Sequence, residues 1–465
     1  MKSYMSATSG WSRALVAGIL GSAALLVPVA MRAQSAATPA ASTSKPIGLQ
    51  DAIGIALRQS VLVKQSENAV ASSTTGVAAA RNAFLPSLAL NTSSARSVGR
   101  SGTSALSNSS TSQSLSTGLS SSLVVFDGLR NVNELRQAKL DVTATTSELT
   151  RARQTAVYAV ASDYLTLATA EGQREVQKQN LEALEAQEAQ LQKLVKAGAR
   201  SISDLYQQQA TTAAARASVV SADRDVELAR IALIQTLQLD PRGNYDFVAP
   251  KVADVSGSVP RYDLDTLLNR AFASRTDLAA EQTRVEAAAL GIKAAAASRL
   301  PTVSLSTSYN ASYNSAGAAA LGNQLDQNRG GSMSLGVSFP IFDKGATSAA
   351  VQQARIQEEN SRLSLADQRQ TVALDVRRAW LTLESTRQQL TVALAQQKAA
   401  DLAVSTTQAR YQVGTSTLLE LTQARASQLQ ANVAVVNARN ALAFQNALLP
   451  YYTGELDPAK ALLES

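Results

Sequence analysis

Tyr411–Gln423 reads YQVGTSTLLELTQ, and the fold turns on what happens across its glycine. A helical pattern runs into Gly414, where a residue without a Cβ can take the left-handed conformation that ends a helix. Thr417 and Glu420 follow at the spacing of a capping box, so a second helix is predicted to start almost at once. The stretch is a tight helix-to-helix turn.

The same plan occurs 216 residues earlier. Val195–Gln207 reads VKAGARSISDLYQ, with Gly198 matching Gly414 and Ser201/Asp204 matching Thr417/Glu420. That offset also pairs Phe126-Asp127 with Phe342-Asp343, Tyr164 with Trp380 and Leu205 with Leu421. Upstream it is 215, pairing Gly76 with Gly291 and Leu85-Pro86 with Leu300-Pro301, so one residue was gained or lost between Pro86 and Phe126. Solenoid repeats have periods of at most about 50 residues, so this is one large structural unit duplicated.

Composition narrows the classes. Aromatic residues make up 4% and charged residues 17% of the 465-residue chain, which suits long, closely packed helices. With no His and no Cys there are no disulfides, no thiolate or imidazole chemistry and none of the commonest zinc ligands. No nucleophile–base constellation stands out, and no catalytic, cofactor or metal site is expected. The net charge of +7 is spread along helices among Gln and Glu rather than clustered with aromatics, which speaks against a nucleic-acid surface.

In order, residues 1–33 have Lys2 and Arg13 ahead of the apolar run Ala14–Ala30, the layout of a secretory signal peptide. Residues 34–47 form a Ser/Thr/Pro tether, 48–240 the first repeat, 241–262 an irregular linker, 263–450 the second repeat and 451–465 a C-terminal tail. No later stretch is apolar enough for a transmembrane helix. Residues 48–84 carry a helical face through Leu49, Ala52, Ile53, Ala56 and Leu57, which Pro86 stops. Strands are predicted at about 86–98 and 112–126, and again at about 301–314 and 332–342. In the second set Val303, Leu305, Thr307 and Tyr309 alternate with Ser304, Ser306, Ser308 and Asn310, which gives one apolar and one polar face. Runs of about 8 to 12 residues match a tilted strand crossing a bilayer.

A soluble sandwich hairpin would alternate as well. The Ser/Asn polar face, the Gly/Ser-rich loops and an exported chain without a transmembrane helix favour a membrane barrel. Four strands cannot close one, since barrels need about eight or more, so spanning strands require an oligomer. Between strands and turns, Gly128–Ala197 and Gly345–Val413 are helical for about 70 residues without proline, or about 105 Å. Val157, Val160, Tyr164 and Leu167, matched by Ala373, Val376, Trp380 and Leu383, have coiled-coil spacing and are expected in packing.

The duplicated series of LP, strand hairpin, FD, long helix and G-x-x-[ST]-x-x-[DE]-L resembles the TolC family of outer-membrane efflux ducts, over essentially the whole mature chain. The resemblance implies a mainly α chain with a transmembrane β-barrel portion. Three copies would form a homotrimeric, twelve-stranded barrel in outer-membrane lipid, continued by a periplasmic α-helical barrel. It also implies that the Gly198 and Gly414 turns form the periplasmic tip, where a periplasmic adaptor and an inner-membrane transporter dock. Family side chains near this tip hold the entrance shut. Asp204 and Tyr411 match positions of that network, Ser203 stands where Thr is usual, and Ser416 replaces an Arg for which Arg200 is the candidate substitute. Glu420 matches an acidic constriction position, and Gln423 replaces a second acid. Helix capping is the plainer role for Asp204 and Glu420, and is compatible with gating. The function implied is a channel-tunnel exporting cargo from a tripartite pump or type I secretion system. The alternative is a periplasmic coiled-coil adaptor without a channel.

Overall fold

The computed structural model describes residues 46–101, 108–249, 260–317 and 319–458. The expected signal peptide, most of the tether, the middle of the linker and the end of the tail lie outside these residues. Helices α1 (Leu49–Gln59) and α2 (Val61–Asn82) lead into strands β1 (Ser87–Ser101) and β2 (Asn108–Phe126). Then come α3 (Arg130–Lys196) and α4 (Ile202–Thr236). The second half repeats this order as α5 (Leu264–Ser274), α6 (Thr276–Ala296), β3 (Thr302–Asn314), α7 (Leu321–Gln327), β4 (Arg329–Ser338), α8 (Ala346–Gln412) and α9 (Leu418–Ala447), followed by α10 (Leu449–Thr453). Helices α3 and α8 have 67 residues each, about 100 Å of helix.

Each half closes its own apolar core at the same place. In the first, Ala52, Ile53 and Ala56 of α1 pack on Val157, Val160, Tyr164 and Leu167 of α3, with Leu233 of α4. In the second, Leu267 and Ala271 of α5 pack on Val372, Val376 and Leu383 of α8, with Leu442 of α9. The Tyr164 hydroxyl donates to the Ile47 carbonyl at 2.8 Å, and the Trp380 indole donates to the Tyr262 carbonyl at 2.9 Å. Donors and acceptors are both related by the repeat offset, so the duplication extends to single hydrogen bonds. The expected linker is tied down at its start, where Ile47 bonds Asp246 and Val248 through the backbone and Phe247 is buried against Tyr164.

The helix expected over 48–84 is broken at Ser60 (φ −53°, ψ 126°), and the equivalent break falls at Arg275 (φ −67°, ψ 115°). The short leading helix fills the core while the longer one turns to run along its neighbour, and one straight rod cannot do both. Helix α3 packs on α2 and α4, and α6 and α9 pack on both α3 and α8. No helix among the described residues is long and apolar enough to cross a membrane.

The strands form one antiparallel meander, β1-β2-β3-β4. They run to 15, 19, 13 and 10 residues, the first two longer than expected. Strand β4 stops at Ser338 rather than near 342, and α7 occupies part of the loop before it. Register sorts the faces: Leu123–Leu305–Leu335 form one row across three strands, and Ser122–Ser306–Ser334 form the next row on the opposite face. Hydroxyls pair along the polar face, Ser87 with Ser122 at 2.8 Å, Ser93 with Ser116 at 2.7 Å and Ser308 with Ser332 at 2.9 Å. The FD motifs start the long helices, Asp127 Oδ2 accepting from the Asn131 amide at 2.9 Å and Asp343 Oδ2 from the Thr347 amide at 2.8 Å.

Candidate functional site at the paired helical turns

Both glycine turns are Schellman motifs, in which a left-handed residue lets two amides reach back to carbonyls at the helix end. Gly198 (φ +67°) donates to Val195 and Ala199 to Leu194, at 3.0 and 2.8 Å. Gly414 (φ +80°) donates to Tyr411 and Thr415 to Arg410, at 3.1 and 2.9 Å. A Cβ on either glycine would meet no atom within 4 Å, so only backbone conformation selects them. Gly414→Ala is therefore expected to weaken the turn by about 1–2 kcal/mol, the cost of a left-handed L-residue. Hydrogen exchange at the Thr415 amide reads this directly, and Gly414→Asn should lose less.

The returning helices cap themselves. Thr417 Oγ1 accepts from the Glu420 amide at 3.2 Å, as the capping-box spacing predicts. The reciprocal half differs, because the Glu420 carboxylate accepts from the buried Ser416 hydroxyl instead of an amide. In the first turn Ser201 Oγ accepts from the Ser203 amide at 3.1 Å, not from that of Asp204. Asp204 has no hydrogen bond or ion pair among the described residues, although its charge acts on Tyr411. Ser203 and Gln423 are exposed, and their side chains bond nothing among the described residues.

One small core joins the turns: Leu191 of α3, Leu205 of α4, Tyr411 of α8, and Leu418 and Leu421 of α9. Across it, Arg200 donates to the Tyr411 carbonyl at 2.7 Å, and its guanidinium lies 4.4 Å from the Tyr411 ring centroid. Arg200 thus fastens the first turn to the end of α8 by a backbone bond and a cation–π contact, without a carboxylate. The Tyr411 hydroxyl is buried without a hydrogen-bond partner, and burial, outweighing the nearby Arg200 charge, holds its pKa above the usual phenol value. A hydroxyl bond from Tyr411 to Asp204 is not formed within the chain.

Behind Arg200 a groove of about 780 Å³ runs between α3, α8 and α9, lined also by Gln187, Leu194, Gln408 and Arg425. Burial lowers the pKa of Arg425, whose contacts are the Ala183 carbonyl at 3.4 Å and Gln408 Oε1 at 3.5 Å. At this groove the seam between the two halves is lined largely by polar side chains, beside the small apolar core that joins the turns. Sequence reading missed Arg425, which stands in no motif, and Arg410, whose guanidinium braces the second turn through the Thr415 carbonyl at 3.3 Å. No cluster of three or more His, Cys, Asp or Glu among the described residues could hold a metal ion.

A sequence profile described as "Outer membrane efflux protein" matches residues 52–237 and 267–455, one segment in each half. Outer membrane efflux protein BepC of Brucella suis biovar 1 (strain 1330) is 24% identical over 339 residues, covering 73% of this chain and 72% of BepC. The CusC structure superposes with a TM-score of 0.77 at 18% identity, covering 88% of this chain and 93% of CusC. VceC from Vibrio cholerae gives 0.72 at 20% identity, covering 87% and 96%. The open state of the Neisseria gonorrhoeae MtrE outer membrane channel gives 0.71 at 21% identity, covering 89% and 91%.

Proposed function

The chain belongs to the outer membrane efflux protein family, as an outer-membrane channel-tunnel reaching into the periplasm, and from that premise we propose how it is assembled and gated. Three copies close a twelve-stranded barrel in outer-membrane lipid and extend it as a helical barrel, which passes cargo from an inner-membrane transporter and its periplasmic adaptor. The duct has no catalytic role, and the reading as a free-standing adaptor is set aside. Its units are the repeats 48–240 and 263–450. The observation that carries the trimer is the open meander, which leaves both β1 and β4 with an unpaired edge that lipid cannot satisfy. Helix α8 supports it with an exposed apolar row, Ile356, Leu363, Leu374, Leu381, Val392 and Leu402, at steps that keep one helical face. A second copy covers that row. Native mass measurement in detergent tests the assembly, and a stable monomer would refute it.

The paired turns form the periplasmic entrance. Arg200 holds it shut through Tyr411, while Glu420 of each copy lends the constriction negative charge, moderated by Ser416 and by the neutral Gln423. Converging carboxylates attract cations and repel anions. In planar bilayers with unequal salt, Glu420→Gln is expected to reduce cation preference, and Arg200→Ala to raise the open fraction. Asp204→Ala with Tyr411→Phe should change the open fraction less, because the ring contact and the carbonyl survive. Variants indistinguishable from the parent would put the gate elsewhere.

A further inference from the structure

The two repeats meet inside the chain at the β2–β3 seam. In a closed ring of copies, the second repeat of one protomer must meet the first repeat of the next at an equivalent seam, between β4 and β1. We infer that this intermolecular seam copies the register of the internal one, and that β4 extends through Phe342 when it forms. The inference rests on the trimeric barrel proposed above.

The internal seam pairs Leu119 with Tyr309, Ser120 with Ser308, Ser122 with Ser306 and Leu123 with Leu305, and a bulge beyond Val124 then sets Phe126 opposite Val303. Moving β2 forward by 216 and β3 back by 215 gives the new pairs: Leu335 with Ser94, Gly336 with Ser93, Ser338 with Asn91, Phe339 with Leu90 and Phe342 with Leu88 of the next copy. Every lipid-face residue meets a lipid-face residue and every polar-face residue a polar one, which a shift by one residue would destroy. The free end of β4 has the exposure of a strand awaiting its partner. Phe342 is 83% exposed against 39% for its counterpart Phe126, and Ile341 is 93% exposed. Both lie beyond the end of β4 at Ser338, whereas Phe126 is within β2.

Pro340 is compatible with this extension. The Ser122 amide donates to Ser87 Oγ at 3.3 Å, so the amides of Ser122 and, two residues on, Val124 point towards β1 and away from β3. Val124 corresponds to Pro340, whose missing N–H would point towards β3, past the last pair of that ladder at Thr302–Ser338, and not at the incoming strand. The copy ends at the corner that follows. A Cβ on Gly128 would come within 2.6 Å of the Ala297 carbonyl oxygen, and Lys344 stands at the equivalent position with a side chain.

The chain has no cysteine, so paired substitutions report the register cleanly. Directly opposed residues on antiparallel strands have Cα atoms about 4.5–5.5 Å apart, within disulfide reach, whereas diagonal neighbours are about 7 Å or more apart. Ser93→Cys with Gly336→Cys in the full-length protein, oxidised in the outer membrane, should give dimers and trimers on non-reducing gels. The internal counterpart, Ser120→Cys with Ser308→Cys, should close within one chain. Asn91→Cys or Ala95→Cys with Gly336→Cys should remain monomeric on the gel. Crosslinking by either of these in place of Ser93 would overturn the register and leave the trimer intact. Absence of every intermolecular crosslink in a protein that is trimeric by native mass would overturn the edge-to-edge seam itself. A monomer by mass would instead remove the assembly on which the inference rests.

Discussion

Arg275→Ala is expected to destabilise the helical portion by about 3–5 kcal/mol, the usual cost of removing one partner from a buried ion pair. Only 3% of the Arg275 side chain is exposed, so solvent screening does not discount the figure. Its guanidinium grips Asp277 with two bonds, Nε to Oδ1 at 2.9 Å and Nη2 to Oδ2 at 2.5 Å. Asp277 also accepts from Gln368 of α8 at 3.0 Å and lies 3.7 Å from Arg151 of α3. Arg151 in turn donates to the Tyr451 carbonyl at 3.0 Å and sits 4.0 Å from the ring centroid of that residue, in α10. One carboxylate thus holds elements of both repeats and the C-terminal helix together. Without Arg275 it remains buried beside a single, longer ion pair. Thermal unfolding followed by the helical circular dichroism signal measures the loss, and a change below about 1 kcal/mol would place Arg275 among surface-like pairs.

The same joint sets an acid limit. Burial pushes the Asp277 pKa up, but the Arg275 bonds together with the Arg275 and Arg151 charges outweigh it and hold the value below the ordinary carboxylate range. A depressed folded pKa contributes stability that is complete above the unfolded value of about 3.9 and is lost as pH falls through the folded one. The melting temperature should therefore fall on acidification below about pH 4. Asp277→Asn should flatten that part of the profile while lowering the plateau.

This joint was invisible in the sequence, whereas the turns were not. Gly198 and Gly414 announce themselves because a Schellman turn is made by neighbouring residues, and Thr417 caps Glu420 within one helical turn. Strand alternation is equally local, and the register then brought the Leu and Ser rows together without conflict. Arg275 has partners at 277, 375 and 452, and Asp277 has a further one at 368; all but the neighbouring Arg275–Asp277 pair are brought together only by the folded chain. The equivalent of Arg275 in the first repeat is Ser60, so the duplication that revealed the plan gave no hint of it. By sequence Arg200 is the candidate substitute for an ion-pairing Arg, yet its contact is the carbonyl and ring of Tyr411. Residue type alone does not say whether a guanidinium will take a carboxylate or a π-face. Alternation continues past the end of β4 through Phe339 and Ile341, where a single protomer offers no strand to pair with, so the pattern alone predicts a longer strand than the one formed.

Leu305→Arg should block barrel assembly while Ser306→Arg is tolerated, although the two residues are adjacent. Leu305 lies in the row Leu123–Leu305–Leu335. On one side of it is the Val303–Val337 pair and on the other the row Leu88–Ser121–Thr307–Met333, so it sits inside the apolar band and not at its rim. Arginine on the lipid face costs about 2–4 kcal/mol near the midplane and about 0–1 kcal/mol at the interfaces. Three copies of the substitution would apply that cost three times per barrel. Ser306 belongs to the hydroxyl row on the other face, where arginine would meet lumen water and Ser122 and Ser334 across the strands. The comparison therefore isolates the facing of the sheet from any general sensitivity of β3 to bulk or charge. Heat-resistant trimer in the outer-membrane fraction is the readout. If Leu305→Arg assembles as well as Ser306→Arg, the lipid and lumen faces have been assigned the wrong way round or the sheet does not face lipid.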